Sequence, residues 1–138
     1  MNDVTGRSPI EVVQLLLAGM AAGGGAALAE LYAPDATVEL PFAGPGGLRL
    51  EGRAAIRRHF ARAADLPLQL VPQNVKLHAT TDTELVVAEY DYRATVTSSG
   101  RSFVAANVQL VRVRGGEIVT SRDFHDHAAI AQALGAAH

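Results

Sequence analysis

The chain has 138 residues, of which 49% are hydrophobic and 19% charged, and this composition predicts one domain over residues 1–138 with a substantial core. A net charge of −2 argues against a nucleic-acid or anionic-membrane partner, and the lack of cysteine excludes disulfides, thiol catalysis and zinc–thiolate sites. The N-terminus shows no basic segment followed by an apolar run, and no apolar stretch reaches membrane-spanning length, so we expect a cytoplasmic protein.

The first two predicted helices lie at the N-terminal end. Ser8 can cap a helix that has Pro9 at its first position, and Glu11 can complete a capping box with Ser8. An apolar face then runs to Met20, before three consecutive glycines at 23–25 end the helix. A short second helix is predicted from Ala26 to Tyr32, because a proline follows two residues later.

A strand and a third helix follow. Residues 36–42 favour a strand, and the glycine- and proline-rich residues 43–47 favour a loop. Residues 54–64 predict a helix that has Ile56 and Phe60 one turn apart on the same face.

The second half of the chain predicts strands joined by turns. The predicted strands cover residues 68–80, with a possible interruption at Pro72, and residues 84–96, 101–114 and 117–126, before a closing helix at 127–135. In the second of them, Tyr90 and Tyr92 alternate with Glu89, Asp91 and Arg93, so the two sets face opposite sides of the sheet. Helices followed by a long meander indicate an α+β fold.

Residues 122–127 include five charged or imidazole side chains. Asp126 directly precedes the closing helix, so we expect it to cap that helix, with His127 in the first turn. His125 and His127 are not expected to bind a metal, because the cap breaks the strand and no third ligand is apparent.

Three segments together resemble the ketosteroid isomerase-like superfamily, and most closely its SnoaL-like branch. They are LYAPDATVELPF (31–42), LEGRAAIRRHF (50–60) and GGEIVTSRDFHDHAAI (115–130). The resemblance implies a cone-shaped α+β barrel, with three N-terminal helices on a curved, mostly antiparallel sheet and a short C-terminal helix. It also implies an apolar pocket at the open end and a homodimer packed sheet to sheet.

True ketosteroid isomerases differ from this chain at three functional positions. Their aspartate base corresponds to Leu40, their oxyanion-binding tyrosine to Leu16, and their protonated aspartate to Gln109. A leucine can neither take a proton nor donate a hydrogen bond, so we do not expect steroid isomerisation by that mechanism.

The same resemblance implies which side chains enter the pocket. The expected catalytic residues are Asp123, as the general acid or base, with His125 and His59 assisting or orienting the substrate. The expected substrate-binding residues are Gln109, Asn107, Ser121, Phe60, Tyr90, Tyr92, Leu40, Phe42 and Leu16, with Val38 as a further part of the apolar wall. An aspartic acid in an apolar cone should have a raised pKa, which suits proton transfer near neutrality.

We therefore favour an enzyme that performs acid–base chemistry, without a cofactor or metal, on a hydrophobic and cyclic carbonyl compound. Cyclisation, isomerisation and dehydration all remain open. One alternative is a non-catalytic protein that binds an apolar ligand, and another is an interaction module with a collapsed pocket. Epoxide hydrolysis is weaker, because Asp91 and Arg93, its remaining candidate residues, face away from the pocket.

Overall fold

The computed structural model describes residues 4–135, so the predicted domain limits at residues 1 and 138 lie outside the described part. In chain order, the elements are α1 (Pro9–Ala21), a 3₁₀ helix (Ala26–Leu31), β1 (Tyr32–Leu40), β2 (Leu48–Glu51), α2 (Arg53–Ala64), β3 (Leu68–Ala79), β4 (Leu85–Val96), β5 (Ser102–Arg114), β6 (Glu117–His125) and α3 (His127–Gly135). No helix in this part of the chain is both long and apolar enough to cross a bilayer.

The six strands form one curved sheet in the order β2-β1-β6-β5-β4-β3. Every neighbouring pair is antiparallel except β1 and β6, which are parallel. The predicted α+β class is confirmed, although the sheet stays open, with β2 and β3 at its edges, instead of closing into a barrel. Pro72 is accommodated because β3 is an edge strand, and the ladder shifts register just beyond it, between Gln73 and Lys76.

The helices cover the concave face of the sheet. Helix α1 packs on β3, β4 and β5, and α2 packs on β1, β2 and the 3₁₀ helix. Val12 and Val13 of α1 and Val111 and Ile118 of the sheet are fully buried. Between the two helices and the sheet, the apolar side chains leave a gap in the packing. This gap is the cavity of the candidate active site.

Two sequence predictions about this region were wrong. Tyr32 begins β1 instead of ending a helix, and β1 continues through Pro34 because the pairing with β6 is interrupted between Tyr32 and Thr37. Strand β2 was missed: its four residues pair with the end of β1, Val38 opposite Leu50.

The two predicted helix caps are confirmed. Ser8 and Glu11 form a capping box at the start of α1. The amide of Ala129 donates to a carboxylate oxygen of Asp126 over 3.0 Å, which caps α3.

Candidate active site

A cavity of about 200 Å³ opens between the helices and the inner face of the sheet. Most of its wall is apolar, as in a small-molecule site. Nine of the predicted pocket residues line it: Leu16, Val38, Leu40, His59, Phe60, Tyr92, Gln109, Asp123 and His125. The other lining residues are Met20, Tyr32, Leu50, Ile56, Ala63, Leu66, Leu68, Leu70, His127 and Ile130.

Strands β5 and β6 set the polar end of the cavity through their register. Gln109 lies opposite Asp123, and Asn107 lies opposite His125. Because alternate residues of a strand share a face, all four side chains point to the inner side of the sheet. The buried polar residues of the described chain are Asn107, Gln109, Ser121 and Asp123.

Asp123 is a carboxyl group buried in the core, with 6% of its surface exposed. Ser121 donates a hydrogen bond to its Oδ1 atom. Burial raises the pKa of Asp123, while hydrogen bonds from Ser121 and Gln109 partly oppose that rise. The pKa of Asp123 is therefore shifted upward, in the direction that suits a carboxyl group acting as a general acid or base.

A chain of hydrogen bonds fixes the side chain of Gln109. The Tyr90 hydroxyl donates to the Gln109 Oε1 atom over 2.8 Å, and the Tyr90 and Tyr92 hydroxyl oxygens lie 3.5 Å apart. With Oε1 occupied in this way, the Gln109 amide is oriented to donate toward Asp123. Burial raises the pKa of Tyr92 to about 12, so the chain stays protonated at neutral pH.

The imidazole of His125 is held in one tautomer by Asn107. The Asn107 Nδ2 atom donates to the Ala105 carbonyl over 3.3 Å, which leaves its Oδ1 atom to accept from His125 Nδ1 over 2.6 Å. Nδ1 therefore carries the proton, and Nε2 keeps a free lone pair. Burial lowers the pKa of His125 to about 3, so this ring is neutral at physiological pH.

Two further histidines line the cavity. His59 projects from α2 beside Phe60, with ring centroids 6.2 Å apart. Burial lowers the pKa of His59, and the nearby charge of Arg62 lowers it further. His127, predicted only as a first-turn residue, packs 5.5 Å from the His125 ring, and burial lowers its pKa as well. Three weakly basic imidazoles therefore share the cavity with Asp123.

Four residues expected in the pocket lie outside its lining. Asn107, Ser121 and Tyr90 are buried behind it, where they hold His125, Asp123 and Gln109. Phe42 is 61% exposed and packs against Phe124 on the other side of the sheet. Its predicted place in the wall was wrong because β1 ends at Leu40 and a turn carries Phe42 away.

Tyr32 is the lining residue that sequence reasoning missed most clearly. Its side chain is 1% exposed, and its ring packs 5.8 Å from that of Phe60. A strand beginning at Tyr32 would have placed it on the inner face, but the proline two residues later favoured a helix end.

The charged groups predicted to face away from the pocket do so. Arg122 lies 5.0 Å above the Phe124 ring, and its Nε atom is 3.6 Å from Glu39. Asp91 accepts from Asn74 over 3.1 Å, and neither Asp91 nor Arg93 lines the cavity. The residues needed for epoxide hydrolysis are thus not assembled. Within residues 4–135, no group of three or more His, Asp or Glu side chains has metal-binding geometry.

Comparisons with known proteins agree with this architecture. The sequence profile of the SnoaL-like domain matches residues 13–121. An uncharacterised PhzA/B-like protein of Pseudomonas aeruginosa is 31% identical over 107 residues, which are 77% of this chain and 75% of that protein.

Two solved structures show the same fold. A provisionally named isomerase from Bacillus subtilis superposes with a TM-score of 0.83 at 24% identity, covering 98% of this chain and 96% of its own. A provisionally named polyketide cyclase from Pseudomonas putida superposes with a TM-score of 0.78 at 15% identity, covering 92% and 98%. The chain belongs to the SnoaL-like family.

Proposed function

We propose that this protein is a cofactor-independent acid–base enzyme acting on a small, hydrophobic, cyclic carbonyl compound. The observation that carries the proposal is a buried carboxyl group, Asp123, at the polar end of an open apolar cavity. Burial of an acid is costly, and no ion pair within residues 4–135 offsets its charge. A buried acid of this kind beside a cavity is a candidate for a functional group.

In the proposed reaction, the Asp123 carboxylate removes a proton from the carbon next to the substrate carbonyl, and the electrons move onto the carbonyl oxygen to give an enolate. Isomerisation, aldol-type cyclisation and dehydration share this first step. In isomerisation, the protonated Asp123 then returns the proton to carbon. In aldol-type cyclisation, the enolate carbon bonds to a second carbonyl carbon and Asp123 protonates the new alkoxide, and in dehydration it protonates the oxygen that leaves. Neutral His125 offers its Nε2 lone pair to position a substrate hydroxyl or to relay the proton.

The family comparisons support this chemistry at the level of reaction type. Similar structures carry the provisional names of an isomerase and a polyketide cyclase. Steroid isomerisation itself has no support, because Leu16, Leu40 and Gln109 lie at the cavity in place of the isomerase's catalytic groups.

Hydrogen–deuterium exchange tests the proposal without knowledge of the natural substrate. In D2O, the wild-type protein should accelerate exchange at the carbon next to the carbonyl of 1-indanone, 1-tetralone or cyclohex-2-enone, followed by proton NMR. The Asp123→Asn variant should lose this activity, while Asp91→Asn, an acid outside the cavity, should retain it. No Asp123-dependent exchange with any of the three ketones would contradict the enzyme proposal. Binding without exchange would favour the non-catalytic alternative.

We also propose that the protein is a homodimer packed through the outer face of its sheet. Val104, 59% exposed, and Val108 lie on that face, as do Phe42 and Phe124. Charges of both signs surround them, which allows two copies to pair opposite charges across a twofold axis. The cytoplasmic location expected from the sequence stays a prediction.

A further inference from the structure

A second group in the cavity is suited to bind the substrate oxygen: the phenol of Tyr32. Its main chain is fixed where β1 starts, because Arg53 Nε donates to the Tyr32 carbonyl over 2.8 Å. Arg53 is held in turn by Glu117, whose carboxylate lies 3.0 Å from Arg53 NH2. The ring packs against Phe60, and the whole side chain is buried at the cavity wall.

The Tyr32 hydroxyl forms no hydrogen bond with any residue of the described range 4–135. The other two tyrosines of the chain differ, because Tyr90 donates to Gln109 and Tyr92 lies at hydrogen-bond distance from Tyr90. Buried tyrosine hydroxyls usually have a partner, since an unmade hydrogen bond in a dry site is costly. A buried phenol that lines an open cavity and has no protein partner points to a ligand as that partner.

The surroundings of Tyr32 favour a donor over an acceptor. Burial raises its pKa well above the ordinary value, and the nearby charge of Asp123 raises it further. The phenol therefore keeps its proton throughout the neutral range. Tyr32 also lines the same cavity as Asp123, the group proposed to remove the proton.

We propose that the Tyr32 hydroxyl donates a hydrogen bond to the substrate carbonyl oxygen and stabilises the negative charge that forms there. This inference rests on the proposed function and adds a second catalytic residue to it. A neutral donor in a water-excluded site stabilises a developing oxyanion more than it stabilises the ground-state carbonyl, so it should affect rate more than affinity.

The test uses 1-indanone labelled with carbon-13 at its carbonyl and compares the wild-type protein with Tyr32→Phe, which keeps the ring and its packing. In the wild type, the bound carbonyl signal should move downfield. In Tyr32→Phe it should move back upfield, binding should weaken about 2- to 12-fold, and exchange should slow by about 10²-fold or more. Thermal melting and circular dichroism show whether the variant is folded.

Thr95→Val is the matched control, because it removes a hydroxyl that bonds Ser102 outside the cavity lining, and it should keep the downfield signal. A carbonyl signal and an exchange rate unchanged in Tyr32→Phe would overturn the inference but leave the enzyme proposal intact. A Tyr32-dependent signal without any exchange would support the inference as a binding contact and count against catalysis. Failure of 1-indanone to bind the wild-type protein, together with no Asp123-dependent exchange of 1-tetralone or cyclohex-2-enone, would overturn both.

Discussion

Asp123 combines two properties that rarely occur together in a small core: it is almost fully buried, and its carboxyl group makes no ion pair within the described chain. Its hydrogen bonds come from Ser121 and Gln109, which are both neutral. The folded protein therefore carries an acid whose charged form it solvates poorly, and this should appear in the protein's stability as well as in its chemistry.

We predict that the free energy of unfolding of Asp123→Asn, relative to that of the wild-type protein, is more favourable at pH 8 than at pH 4. The folded-state pKa of Asp123 is raised, so its contribution is favourable at low pH and is lost as the pH rises through that pKa. An asparagine stays neutral at both values, and the altered hydrogen bonds affect both equally. Thermal melts of the two proteins at each pH give the comparison. An equal difference at pH 4 and pH 8 would show that the carboxylate charge is not destabilising.

At the scale of residues, the sequence predicted the polar end of the cavity but not all of its lining. Asp123, His125 and Gln109 follow from simple alternation along β5 and β6, once the family resemblance fixes the inner face. Tyr32 and His127 were missed because each lies next to an irregularity. The pairing of β1 shifts register just after Tyr32, and His127 lies where a strand gives way to a helix.

Among the elements, α3 is the one held most weakly. None of its residues is buried, yet His127 and Ile130 contribute to the cavity lining. Its cap at Asp126 is thus important for the position of this wall.

We predict that Asp126→Ala loosens α3 locally. Loss of the cap should cost the helix about 1 kcal/mol. Because no residue of α3 is fully buried, that cost should appear as local opening, not as global unfolding. Hydrogen exchange of the amides at 129–134 should accelerate, and binding of 1-indanone should weaken. Ser8→Ala is the contrasting variant, since α1 carries the fully buried Val12 and Val13 and should transmit its loss to the overall melting temperature. Unchanged exchange in α3 would contradict this account.

Element boundaries were predictable where periodicity and turn residues agreed. The long strands β4 and β5 and the caps of α1 and α3 are examples. Strand β2 was not predictable, because its four residues follow a glycine-rich loop and are ordered by pairing with β1. The start of β1 was not predictable because of Pro34. A proline at this position favours the end of an element, and β1 continues through it only because the pairing with β6 is irregular there in the folded sheet.

For the whole molecule, alternation and hairpin turns predict the meander from β3 to β6, but they do not predict the parallel contact between β1 and β6. That contact joins residues more than eighty positions apart, Val38 and Ser121 among them. Local sequence carries no signal for a pairing between such distant segments, so this contact was not predicted.

We predict that the assembly is dimeric and that Val108→Glu disrupts it. Val108 lies on the outer face of β5, where a buried charge at a subunit interface would be unpaired. Sedimentation velocity should show a dimer for the wild-type protein and a monomer for the variant. A wild-type protein that is monomeric at micromolar concentration would refute the proposed interface.

The most direct test of the central claim is the ratio of 1-indanone exchange rates in the wild-type protein and Asp123→Asn at pH 8. General acid–base catalysis by one positioned group predicts a ratio of about 10² to 10⁴. A thermal melt of the variant at pH 8 shows whether unfolding contributes to the loss. A ratio near one in a folded variant would contradict the assignment of Asp123 as the catalytic acid–base group.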